Sequence, residues 1–347
     1  MNLLERLGIE LPIIQAPMAG SQGSALAIAV SNSGGLGSQP CAMLAVDAMR
    51  RELATIRAAT QKPFNVNFFC HTPPRADAVG DTMWRDALAP YYRELGVDPN
   101  DIPKGAPRRP FDAECADALA EFAPPVVSFH FGLPSRELVD RCRAWGAVIL
   151  SSATTVDEAR WLEDRGVDAV IAQGAEAGGH RGMFLTDDVA TQVGTFALLP
   201  QVVRAVNVPV IAAGGIADAR GVAAALALGA SAAQIGTAYL LTPEATTSAV
   251  HRAALASEAA RVTALTNVFT GRPARGIVNR LMRETGPMSS IAPAFPLAAY
   301  AVLPLRTKGE AAGSGDFSPL WSGQNATGCK AIPAAQLTRE LARVDAA

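Results

Sequence analysis

A histidine set among glycines, Gly178-Gly179-His180-Arg181-Gly182, is the residue whose type and setting point most directly to chemistry. Imidazole titrates near neutrality, so at the C-terminal end of a strand it can give or take a proton. The segment before it, Gln173-Gly174-Ala175-Glu176-Ala177, closes an apolar run that starts at Ala169. His130, ending Ser128-Phe129-His130 before Phe131-Gly132, is a second strand-end candidate, and His71 is placed to face the same mouth. His251 lies in a helical stretch and reads as a surface residue.

Two glycine turns later in the chain suggest an anion. Ala213-Gly214-Gly215-Ile216 and Gly236-Thr237 each follow an apolar run. In many α/β barrels the loops after the last two strands present backbone N–H groups to a phosphate, and glycine permits the close approach. The competing reading is a tight turn with no ligand. At the first run, Gln15-Ala16-Pro17-Met18-Ala19-Gly20, backbone can lie along a flat ring with Met18 as a soft contact, or it can simply end a packed strand. Asn67 and Gln173 are amides inside apolar runs, and each needs a partner: an ordinary side chain or the polar edge of a ring.

These residues need a scaffold, and the hydrophobic pattern supplies one. Short apolar runs at Ile13–Ala16, Leu36–Gln39, Phe64–Phe69, Val126–Phe131, Ala147–Ser151, Ala169–Gln173, Val208–Ala212 and Ala233–Gly236 read as eight strands. Between them the period shifts toward 3.6, as at Val46, Met49, Leu53 and Ile56. Thr155 and Glu158 have capping-box spacing, with Gly166 placed to close that helix. Eight alternating units predict a (β/α)8 barrel, formed by residues 1–70 and 123–264. Residues 71–122, rich in Pro, Arg and Asp with aromatics at Trp84, Tyr91 and Tyr92, read as an insertion; residues 265–347 read as an accessory substrate or lid region.

Composition removes several function classes. With 30 basic and 32 acidic residues the chain carries no footprint for nucleic acid or an anionic membrane, so a small molecule is the expected partner. The densest basic stretch, Lys104–Arg109, reads as a solvated loop. The five cysteines form no C-x-x-C pair and no zinc spacing, which predicts reduced thiols, no metal and a cytoplasmic protein. No apolar stretch has membrane-spanning length. Walker, H-E-x-x-H, Ser-His-Asp and Rossmann patterns are all missing. Whether the chain forms a homo-oligomer is left open.

Taken together and in order, Gln15–Gly20, Asn65-Val66-Asn67-Phe68-Phe69, Gln173–Gly182, Ala212–Ile216 and Gln234-Ile235-Gly236-Thr237 resemble the nitronate monooxygenase family. That resemblance implies a non-covalent FMN and the oxidation of alkyl nitronates, such as propionate 3-nitronate, by O2, a nitroalkane-detoxifying activity. By position it carries His180 over as the active-site histidine. Asn67, Gln173, Gly178, Gly215, Gln234, Ile235, Gly236 and Thr237 carry over as flavin contacts, and Ala16, Pro17, Met18 and Gly214 join them as cofactor candidates from the first strand end and the glycine turn. His130, His71, Tyr300 and Lys308 are candidates for the substrate pocket, and Ser314–Gln324 resembles a family tail segment that closes the site. Two other readings stand beside it: an NAD(P)H-dependent flavin reductase of quinones or enoyl thioesters on the same barrel, and a flavin-free barrel that binds or isomerises a phosphorylated metabolite.

Overall fold

Side chains along a strand alternate between its two faces, and in this chain the alternation sorts a barrel interior from a helix-facing exterior. The computed structural model describes residues 2–102 and 108–343. Eight parallel strands form the barrel: β1 (Ile13–Gln15), β2 (Gly37–Pro40), β3 (Phe64–Phe69), β4 (Val126–His130), β5 (Val148–Ala153), β6 (Ala169–Gln173), β8 (Val210–Ala213) and β9 (Ala232–Ile235). Each neighbour pair is parallel, β9 returns to β1, and a parallel bridge from Ile14 to Leu36 closes β1 onto β2. The short β7 (Gly179–His180) lies outside the barrel, in an antiparallel sheet with β11 (Ala274–Ile277) and β10 (Thr263–Thr266).

The inward column of each strand changes character along its length. At the N-terminal end Ile14, Leu36, Val126, Leu150, Ala169, Ile171, Ile211 and Ala232 form one apolar cluster, plugged by Leu3, Leu7 and Ile9 of the N-terminal segment. Toward the C-terminal end the inward positions become Asn67, Ser128, His130, Ser152, Gln173 and Gln234. Beneath this rim Asn65 bridges the Ser38 and Ser128 hydroxyls at 3.0 and 2.9 Å. The outward residues, among them Val66, Phe68, Val127, Phe129 and Ile149, pack with Met49, Leu53, Ile56 and Leu162 of the surrounding helices.

Three details differ from expectation. The helix Ala113–Ala120 belongs to the helical ring, because Ala116, Ala118 and Leu119 are buried in the same cluster as the outer barrel faces. The helix Ala334–Leu341, grouped by sequence with the accessory region, also returns to the barrel: Ala334, Leu337 and Leu341 pack with Leu26, Val30 and Val222. Thr155 caps its helix through Glu158 N (3.2 Å), but the Glu158 carboxylate does not reach back to complete a capping box. Fully buried, it accepts from Thr154 N, Thr154 Oγ1 and Phe184 N instead, tying the β5 end to the loop after His180. Of the basic stretch, Lys104 to Pro107 lie outside the described residues.

Above the barrel, helix Ala78–Leu95 packs on helix Ala298–Ala311. Trp84 is fully buried there and donates to Ala298 O (3.3 Å), Tyr92 donates to Ala301 O (2.7 Å), and Tyr91 meets Phe317 at 5.3 Å between ring centroids. A buried indole in a satellite core is a large part of that core's stabilisation. Trp84→Ala is expected to lower the free energy of unfolding by about 3–5 kcal/mol, read from urea denaturation.

Candidate active site

The C-terminal ends of the strands open into one cavity. Ala16, Pro17 and Met18 line it after β1, Asn67 and Phe69 from β3, His130 from β4, Ser152 from β5 and Gln173 from β6. Gly214 and Gly215 follow β8, while Gln234, Ile235, Gly236 and Thr237 complete the ring at β9, with Gly178 and His180 overhead. All the candidate flavin contacts therefore share one space.

Gly214 and Gly215 have φ of +114° and +72°, the left-handed region that favours glycine. Behind them Glu176 accepts from Thr195 N (2.8 Å) and Thr195 Oγ1 (2.8 Å), and the same hydroxyl lies 2.9 Å from Gly214 O, setting the β6 loop against the turn after β8. The tail closes over both: Gly323 N donates to Thr237 Oγ1 (2.9 Å), Gln324 N to Glu176 O (2.9 Å) and Asn325 Nδ2 to Gly215 O (3.2 Å). The approach is so close that a Cβ on Gly178 would fall 2.5 Å from Gly323 N. Gln234 Oε1 is buried and has no partner among the described residues, an acceptor that a ligand N–H would satisfy.

Gln173 has an ordinary protein role as well as a cavity face. Its Nε2 donates to His180 O (3.1 Å) and its Oε1 accepts from Gly182 N (2.7 Å), so one amide fixes the loop on both sides of the histidine. His130 donates from Nε2 to the same His180 carbonyl (3.2 Å), and Ser152 Oγ lies 3.1 Å from its Nδ1. Arg181, fully buried, reaches the carbonyls of Gly174 and Gln173, both at 2.7 Å. Asn67 gives its Nδ2 to Ser128 Oγ (2.9 Å).

His180 stands among rings: Phe295 at 5.4 Å, Trp321 at 5.5 Å, Phe131 at 6.0 Å and Phe69 at 6.2 Å between centroids. Its Nε2 is 2.9 Å from Thr270 Oγ1. Burial, reinforced by the Arg108 and Arg272 charges, pushes its pKa well below the ordinary histidine value, so the ring is neutral at neutral pH.

The other pocket candidates are placed differently. His71 does not line the cavity; it donates to Arg108 O (3.0 Å) and buttresses Phe295 edge-on at 4.9 Å. Tyr300 lies beside Arg108 and outside the lining. Lys308 is exposed, and its helix instead turns Arg306 and Glu310 to the cavity. Positions 306 and 310 share a face because they are four residues apart, whereas 308 lies about 200° round from each. Three further lining residues were missed. Arg108, within the stretch read as solvated, carries its guanidinium 5.7 Å from the Phe295 ring centroid, and no described carboxylate pairs with it. His251, read as a surface residue, is buried, lines the cavity and donates to Trp321 O (3.0 Å). Thr270 is buried against His180. Among the described residues no cluster suits a metal ion, and no helix is long and apolar enough to cross a membrane.

A closed parallel barrel with glycine turns after its last two strands and a neutral histidine boxed by aromatics at the same end defines a small-molecule barrel enzyme. Comparison with known proteins narrows the class. The sequence matches the nitronate monooxygenase family over residues 2–343. It is 44% identical to a nitronate monooxygenase of Pseudomonas aeruginosa over 337 residues, covering 96% of each chain. It is likewise 44% identical to one from Paraburkholderia phytofirmans over 346 residues, covering 98% of this chain and 94% of the relative. In structure it is similar to a nitroalkane oxidase from Streptomyces ansochromogenes, with TM-score 0.87, 40% identity and coverage of 96% and 95%. FabK from Thermotoga maritima is more distant, with TM-score 0.72, 30% identity and coverage of 98% and 94%. The chain belongs to the nitronate monooxygenase family, a family of oxidoreductases.

Buried neutral histidines make stability depend on pH. Burial lowers His130 and His251 to about 4, while in the unfolded chain each titrates near its ordinary value of about 6.5. Below that value the unfolded state binds protons the folded state refuses, so stability is lost as pH falls through this window. Urea midpoints should drop steadily from about pH 6.5 to about pH 4, and His251→Gln should flatten the slope by close to one proton; an unchanged slope counts against a buried, neutral His251.

Proposed function

We propose that this protein binds FMN and oxidises alkyl nitronates, propionate 3-nitronate among them, with molecular oxygen and no nicotinamide donor. The observation that carries the reading is the neutral His180 in a cavity that Arg108 also lines, its guanidinium 5.7 Å from the Phe295 ring that flanks the histidine. A nitronate is an anion already carrying the electron density to be donated. Its site needs donors and a positive potential that fix it in place more than it needs a strong base.

The residues present fit FMN. Ala16, Pro17, Met18, Asn67 and Gln173 would hold the ring system, and Gln234 has an unpartnered buried oxygen for its polar edge. Gly178, Gly214, Gly215, Ile235, Gly236 and Thr237 would hold the phosphate side, where backbone can approach an anion closely. When bound, FMN supplies the electron acceptor. The protein's own part is positional: His180 hydrogen-bonds the substrate, with Gln173 and His130 fixing its backbone carbonyl. Arg108 draws the anion in. Phe69, Phe295 and Trp321 keep bulk water from the reacting face. Residues around helix Ala78–Leu95 and helix Ala298–Ala311 serve as the cover over this mouth. With five free cysteines and no described membrane helix, we place the enzyme in the cytoplasm.

Oxygen consumption by the purified flavoprotein on addition of an alkyl nitronate tests the activity; no uptake above buffer with flavin bound rejects it. His180→Asn should retain FMN and lower kcat/KM by about 100-fold. The second reading, a nicotinamide-dependent flavin reductase of quinones or enoyl thioesters, requires the flavin to bleach with NADH or NADPH under anaerobic conditions. Cofactor retention is tested separately with Gly236→Val, whose added methyls would enter the space beside Ala16 and Met18. Flavin release measured by filtration should rise about tenfold or more, and unchanged retention would remove the turn after β9 from the FMN site.

A further inference from the structure

Three of the four histidines have their proton placed by a carbonyl. Carbonyl oxygen can only accept, so the contacts His71 Nε2 to Arg108 O, His130 Nε2 to His180 O and His251 Nε2 to Trp321 O each require an Nε2–H. His180 differs, because its Nε2 meets a hydroxyl, Thr270 Oγ1, at 2.9 Å. A hydroxyl can donate or accept, and which it does decides what His180 shows to the cavity.

The surroundings of Thr270 favour one direction. It is only 4% exposed, and among the described residues the other acceptor near its hydroxyl is Arg272 O at 3.5 Å, beyond good hydrogen-bond length. Its proton is therefore best placed on His180 Nε2. No described residue bonds to His180 Nδ1, and that nitrogen is not a sealed, unpartnered atom. Since the neutral ring carries one proton, the proton then sits on Nδ1, at the cavity that His180 lines.

We propose that Thr270 is a positioning residue that donates to His180 Nε2 and so holds the ring as the Nδ1–H tautomer, presenting a hydrogen-bond donor to an anionic substrate oxygen. The reverse arrangement would leave a lone pair at the cavity, suited to removing a carbon-bound proton from a neutral nitroalkane and repelled by a nitronate. Resting on the nitronate reading above, the inference deepens it: Thr270 sets the preference for the anion over the neutral nitroalkane through the histidine. No proton leaves carbon in this site, and His180 ends the turnover in the protonation state in which it began.

Histidine-side-chain ¹⁵N-labelled holoenzyme gives a direct test through long-range ¹H–¹⁵N correlation, with His180 assigned by comparison with His180→Asn. The expected spectrum has His180 protonated at Nδ1 while the other histidines are protonated at Nε2. Protonation of His180 at Nε2 overturns the proposal, whether or not the enzyme turns over nitronate. Kinetics form the second arm. Thr270→Val should lower kcat/KM for an alkyl nitronate about tenfold and narrow the preference for nitronate over the parent nitroalkane, while Thr270→Ser stays within about twofold of the wild type. A Val variant that keeps the wild-type preference, or a Ser variant as impaired as Val, sinks it. Failure of wild-type protein to consume nitronate at all would count against the function reading, with the tautomer still decided by the spectrum.

Discussion

The pleat allows each strand of a closed barrel to send only every second side chain inward, and the rest of this structure follows from how those few positions are filled. At the lower end they are aliphatic, and a close-packed plug forms that gives the barrel its rigidity. One or two steps higher they turn into amides, hydroxyls and an imidazole, because there the interior meets a cavity instead of a facing side chain. The same strand is thus core at one end and site at the other, and the precision of the site is inherited from the packing beneath it.

The polar rim cannot stand alone in a buried setting, and the chain answers with shared hydrogen bonds. A single carbonyl, that of His180, is gripped by both Gln173 and His130, although these sit on different strands. Arg181, next in sequence, is buried completely and returns to the carbonyls of Gly174 and Gln173. An unsatisfied member would cost about 1–3 kcal/mol, so loop and rim are stable as a network and not as separate contacts.

Much of this was legible in the sequence because it depends on local pattern. The eight strands are bounded apolar runs, and Gly214-Gly215 and Gly236 sit where only the backbone matters. What was not legible depends on partners distant in the chain. Arg108 is surrounded by prolines and basic residues that read as solvated loop, and its burial against Phe295 is a tertiary fact. Lys308 was chosen for its charge, but helical phase turns Arg306 and Glu310 inward instead. Thr270 carries no sequence signal at all; its importance is its 2.9 Å distance from an imidazole 90 residues earlier. The helix Ala334–Leu341 looked like the end of an accessory region because only its contacts with Leu26 and Val222 reveal it as part of the ring.

The tail contacts made by Gly323, Gln324 and Asn325 tie glycine turns of the barrel to a segment made long after the last strand. On the ribosome all eight strands exist before the residues that brace those turns have been translated. If the turns hold the proposed FMN, a nascent barrel would offer it a half-built cradle until Asn325 has emerged. Biogenesis of a loaded enzyme would in that sense be C-terminally gated, since a chain stopping short of this segment lacks both the brace and the ring helix Ala334–Leu341.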